Sequence, residues 1–173
     1  MNARHMQPAA LVLLLVLLSG PENLKAQATE TPSTTVFSAN PFGLLLEFFN
    51  AEVERVIRPT LSVGLGGSTV LLEDEDYRNL DAFVRFYPQA DALNGWAFGA
   101  KAGLTALPLD TDSSNLSFGL GFDVNWSQLL GSEDQFYVGI GFGLKRLIST
   151  DDTHTGAVII PTLRIVNVGW AFR

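Results

Sequence analysis

The sequence predicts an all-β protein, an eight-stranded antiparallel transmembrane up-and-down β-barrel. Three observations predict it. The chain closes on a long alternating stretch, Gly156 to Arg173, in which Val168, Trp170 and Phe172 share one face near the C-terminus. Segments with period-two alternation recur along the chain, each followed by turn residues. The polar faces of these segments are built of Gly and Ser with isolated charges, and the opposite faces are apolar. Glycine weakens a strand and adds little to a solvated exterior, but it makes room inside a narrow lumen. A soluble sandwich or lipocalin-like barrel would turn its apolar faces inward and charge its exterior. The phase is therefore apolar outward and polar inward.

The N-terminus is a separate matter. Arg4 and His5 precede the apolar run Leu11 to Leu18, and Ala26-Gln27-Ala28 has the small-x-small spacing of a cleavage site. That layout predicts a secretory signal peptide over residues 1–28, cut after Ala28. The apolar core is too short for the ~20 residues of a spanning helix. Residues 29–35, with Pro32 among Thr, Glu and Ser, form a flexible lead-in, and 36–173 form the barrel. The formal charge is −7, and loss of Arg4, Glu22 and Lys25 makes it −8. An acidic exported chain lacks the basic stripe that nucleic acid requires. Cysteine is absent, so disulfides contribute nothing to its stability.

The first expected strand, Val36 to Leu45, is the weakest, because Pro41 confines it to a start, an edge or a bulge. The second, Glu47 to Ile57, sets Phe49, Ala51, Val53 and Ile57 against Asn50, Glu52 and Glu54. Arg58-Pro59-Thr60 turns into the third, Leu61 to Leu72. The fourth is Arg78 to Tyr87, with Asn79, Asp81, Phe83 and Arg85 on its inner face, and Pro88 to Asn94 turns. The fifth runs from Gly95 to Leu107. The sixth, Asn115 to Ser127, alternates most clearly: Leu116, Phe118, Leu120, Phe122, Val124 and Trp126 face outward, with Leu120 near mid-bilayer. The seventh is Gln135 to Ile148. In the eighth, Leu163 and Ile165 lie on the opposite parity from Val168 and Trp170, which predicts a bulge near Val166.

With both termini on one side, Phe86, Trp96, Trp126, Phe136, Trp170 and Phe172 fall at one rim. That is the arrangement of a membrane-interface aromatic girdle.

Several stretches carry a resemblance. Asn40-Pro41-Phe42-Gly43-Leu44-Leu45 running into Glu52-Val53-Glu54-Arg55, Arg85-Phe86-Tyr87-Pro88, Phe136-Tyr137-Val138-Gly139 and Ile160-Pro161-Thr162-Leu163-Arg164 are the stretches concerned. They resemble small bacterial outer-membrane β-barrel proteins of a domain family without assigned function. The resemblance covers most of the chain after the leader. It implies an eight-stranded monomeric barrel in a Gram-negative-type outer membrane, with membrane lipid and the barrel assembly machinery as partners. It implies no catalytic residues. Such chains commonly end on an aromatic residue, whereas Arg173 follows Phe172 here.

The inward charges are Glu52, Glu54, Asp81 and Asp123 against Arg85, Lys101, Lys145 and Arg164. Four acids against four bases in a narrow lumen predict a structural ion-pair network, with a proton or substrate path as the sharper alternative. Ser149, Asp152 and His154 supply the residue types of a hydrolytic triad, but all three sit on one short loop, which positions a triad badly. The acidic residues Glu73 to Asp76, Asp110, Asp112, Asp151 and Asp152 would share the outer rim as a solvated, repelling surface; hard divalent cations are the alternative. No catalytic, cofactor or metal site is assigned. Three functions follow: a structural or interaction barrel first, a narrow channel for small solutes second, a lipid-modifying enzyme third.

Overall fold

The computed structural model describes residues 34–43, 47–70, 77–107, 115–148 and 158–173. The expected signal peptide, the acidic loops and the Ser149–Asp152–His154 set lie outside the described residues.

Eight strands run in chain order: β1 Thr35–Ala39, β2 Phe48–Arg58, β3 Leu61–Val70, β4 Arg78–Phe86, β5 Gly95–Leu107, β6 Asn115–Leu130, β7 Phe136–Ile148 and β8 Ile159–Phe172. Each pairs antiparallel with its sequence neighbour, and β1 pairs with β8 to close the barrel. Closure removes the free edges of an open sheet, which is how a chain without disulfides covers its backbone polar groups.

The alternation has the expected sense. Phe37, Phe98, Phe118, Phe122 and Phe142 are exposed on the outer surface, while Glu54, Arg85, Lys145 and Asn167 are buried inside. Leu120 differs from expectation in its surroundings, because its cross-strand partner on β7 is the exposed, outward Arg146. Phe122 instead has apolar residues on both sides, Ala100 and Leu144.

β1 is shorter than expected at its far end and starts one residue earlier, at Thr35. The Val56 amide donates to the Thr34 carbonyl at 2.9 Å, so the end of the lead-in already belongs to the wall. Ala39 is the last strand residue because Asn40 starts a turn. Phe42 N–H donates to Asn40 Oδ1 at 2.8 Å, Gly43 N–H donates to the Asn40 carbonyl at 3.3 Å, and Pro41 has no N–H to give a ladder. β6 runs to Leu130, beyond the expected Ser127.

The shortness of β1 leaves a mark on the wall. β1 covers β8 only from Val168 to Phe172, so among the described residues Ile159 to Asn167 have ladder partners on β7 alone. Pro161, which cannot donate, lies in this stretch. The expected bulge is present: Gly139 pairs with Asn167 but Gly141 pairs with Arg164, so Ile165 and Val166 together oppose one residue of β7. The parity change turns both Arg164 and Asn167 inward.

At the rim of the termini, an apolar cluster closes the lumen. Val36, Val56, Tyr137 and Ala171 point inward, and Leu93 from the β4–β5 turn is buried against them, with Ala92 and Leu129 at the margin. The sequence presents residues 88–94 as an ordinary turn. In the structure it folds across the opening, pinned where Leu129 N–H donates to Asn94 Oδ1 at 2.9 Å.

Candidate functional site

The lumen between that stopper and the opposite rim holds the charges. β2 contributes Glu52 and Glu54, β4 Asp81 and Arg85, β5 Lys101, β6 Asp123, β7 Lys145 and β8 Arg164. All eight form ion pairs, with Lys145 and Asp81 as a separate pair and the other six in one network. Arg85 lies at its centre, 2.5 Å from Glu54, 3.1 Å from Glu52 and 4.0 Å from Asp123. Arg164 meets Glu52 at 3.1 Å, Lys101 meets Asp123 at 3.3 Å, and Lys145 meets Asp81 at 2.5 Å. A buried ion pair needs further hydrogen bonds to offset desolvation, and here it has them.

Of those further partners, Ser62, Asn79 and Tyr137 follow from inner-face parity, and Tyr87 does not. Glu54 Oε1 accepts from Ser62 at 2.5 Å and from Tyr87 at 2.7 Å, so its carboxylate is fully engaged. Tyr87 lies just past the end of β4. Burial, then the Glu54 carboxylate, pushes its hydroxyl well above the usual tyrosine range, so it is a neutral donor. Lys145 also donates to Asn79 Oδ1 at 2.7 Å, Lys101 to Thr162 at 2.5 Å, and Arg164 to the Tyr137 hydroxyl at 2.6 Å. The Arg85 guanidinium stacks over Phe83 at 4.0 Å. Gly99 shows why the inner face needs glycine: a Cβ there would collide with the Asp123 carboxylate and sit 3.3 Å from Arg85 Cγ.

The cavity at the network, lined by Asn50, Glu52, Asn79, Lys101 and Arg164 among others, measures about 50 Å3, room for a few waters. A second cavity toward the opposite rim, lined by Phe48, Ser68, Tyr77 and Thr162 among others, measures about 280 Å3.

The aromatic residues expected at the rim of the termini occur there, and the ladder pairs them. Trp96 is opposite Trp126, and Phe136 is opposite Trp170 with rings 4.7 Å apart edge to face. Phe172 meets Phe37 edge to face at 5.8 Å, and Phe37 is a rim aromatic that the sequence reading did not include. Phe86 is exposed and paired with Phe98.

Fold and lumen together define a closed eight-stranded antiparallel β-barrel with an apolar exterior and a charge-paired interior. No protein-family model matches the chain, and no curated protein matches it. Among solved structures it is similar to the N-terminal β-barrel domain of Pseudomonas aeruginosa OprF, with 14% identity and a TM-score of 0.42 over 81% of this chain and 96% of that one. The likeness is weak in both shape and sequence, and the barrel assignment rests on the chain's own strand ladder.

Proposed function

We propose that this chain is a monomeric outer-membrane β-barrel protein with a structural or interaction role, its lumen plugged by the ion-pair network. The observation that carries this reading is the inversion of the barrel: a belt of exposed Phe, Leu, Ile and Val outside, and every described lumen charge paired inside. In water such a belt is a large unfavourable apolar surface; in hydrocarbon it is at home, and the closed ladder satisfies the backbone. The rim aromatics suit an interfacial girdle. In this reading the chain is exported, inserted by barrel assembly machinery, and neither an enzyme nor a cofactor carrier.

The plug favours this role over a channel. The apolar stopper at Leu93 and the network around Arg85 lie in series, so a solute path would need both to open. Cell fractionation with heat-modifiable gel migration tests the placement. The protein should co-fractionate with outer membranes and migrate faster unheated than boiled. A soluble fraction with a single migration would refute the placement.

A further inference from the structure

We propose, on the outer-membrane placement argued above, that the cavity beside the uncovered edge of β8 takes the end of one acyl chain of a bilayer lipid, entering sideways from the membrane. The cavity measures about 280 Å3 and lies toward the rim opposite the termini. Phe48, Val70, Tyr77 and Ile160, all half-buried, give it apolar and aromatic walls. An apolar cavity of about 150 Å3 already takes a benzene molecule, so this one has room for several methylenes.

The wall is open beside it. Ile160, Pro161, Thr162 and Leu163 all line the cavity, so it runs along the edge of β8 and touches residues of both parities. Ile160 and Thr162 oppose Lys145 and Gly143 on the inner face, whereas Pro161 and Leu163 are exposed with the outer belt. β1 stops at Ala39 and covers β8 only from Val168 onward, so this edge faces no strand among the described residues. The lipid-facing surface and the cavity are therefore continuous.

The chemistry of the edge and the lining selects an apolar chain. Asn50 donates to the Leu163 carbonyl at 3.4 Å, so that carbonyl points off the uncovered edge and is met there. Backbone groups alternate sides along a strand, so Pro161, two residues earlier, turns its nitrogen the same way and has no N–H to leave unmet in hydrocarbon. A peptide adding as a strand would find that donor missing, which disfavours an extended segment as the occupant. The polar lining is already engaged: Thr162 accepts from Lys101 at 2.5 Å, and the Ser68 and Tyr77 side chains hydrogen-bond each other. A sugar or other polar solute would find few open partners, whereas an acyl chain needs only apolar contact.

The test uses the full chain in phosphatidylcholine vesicles that contain phosphatidylcholine with a diazirine at the end of one acyl chain. Illumination and peptide mass spectrometry show which residues the chain end touches, with Phe122 as the reporter of the outer belt. The expected result is label at Phe122 and also at the inward Val70, Tyr77 or Ile160. Label at Phe122 without any at those three would overturn the acyl site and leave the membrane placement standing; absence of label at Phe122 as well would overturn both. Ile160→Trp should fill the cavity and remove the inward label while Phe122 keeps its own, and inward label that persists unchanged would place the chain end elsewhere and overturn the assignment. A diazirine fatty acid added from water that labels the inward residues when the phospholipid does not would overturn the sideways route.

Discussion

Arg164 of β8, which lies beyond the reach of β1, meets Glu52 of β2, the cross-strand partner of Ser38, at 3.1 Å. The Asn50 side-chain amide donates to the Leu163 carbonyl at 3.4 Å past the end of β1. Along this seam two side-chain contacts stand where a backbone ladder stands elsewhere. The charge network therefore also fastens the wall where the strand pairing is thinnest.

The most completely buried pair gives the clearest stability prediction. Lys145 is 0% exposed and depends on Asp81 and Asn79. Asp81→Ala leaves that ammonium without its counter-charge and should destabilise the barrel by about 3–5 kcal/mol. Adding Lys145→Met should recover much of the loss. Urea unfolding in lipid vesicles measures both; equal stability of wild type and Asp81→Ala would show that the pair is not coupled.

The outward phase is tested at Phe122. Its neighbours Ala100 and Leu144 offer a cation nothing polar. Phe122→Arg should cost about 2–4 kcal/mol in lipid. Vesicle unfolding with no change from wild type would reverse the assignment of faces.

Leu93 tests the stopper. It is fully buried yet holds a positive φ of 75°, a region that favours glycine. Leu93→Ala should cost about 2–5 kcal/mol through the cavity it leaves. It should not by itself open a conducting path, because Arg85, Glu54 and Tyr87 stay in place behind it. Steady current through the Leu93→Ala protein would show that the stopper alone seals the lumen.

Tyr87 predicts an alkaline limit. Its hydroxyl is raised by burial and by Glu54, with Tyr137 and Arg85 also facing it. A raised folded-state value means the contribution is whole below the unfolded value of about 10 and is lost as pH climbs through the folded one. Thermal midpoints should thus fall above about pH 10, and Tyr87→Phe should lessen the slope. An identical alkaline profile for both proteins would remove Tyr87 from the account.

Much of this architecture was legible in the sequence because a strand's period of two is a local property. The parity slip between Leu163–Ile165 and Val168–Trp170 located the bulge, and the inner-face parity of Glu52, Glu54, Asp81, Arg85, Lys101, Asp123, Lys145 and Arg164 placed all eight in one lumen. Which acid meets which base was not legible, because it depends on barrel register: Glu52 and Arg164 are far apart in the chain and adjacent only after closure. Leu93 escaped for the same reason, since nothing in Asp91-Ala92-Leu93-Asn94 reveals that the turn folds inward. Tyr87 read as a strand end, and its hydrogen bond to Glu54 appears only in three dimensions. The early end of β1 did have a local signal, the turn-forming Asn40-Pro41-Phe42-Gly43.

Planar-bilayer recording of the purified full chain tests the plugged barrel most directly. The account predicts that wild type inserts and shows no steady conductance, and that Asp123→Ala lowers thermal stability before it alters permeability. Stable, ion-selective steps from wild type, re-tuned by Lys101→Glu, would contradict it and establish a channel.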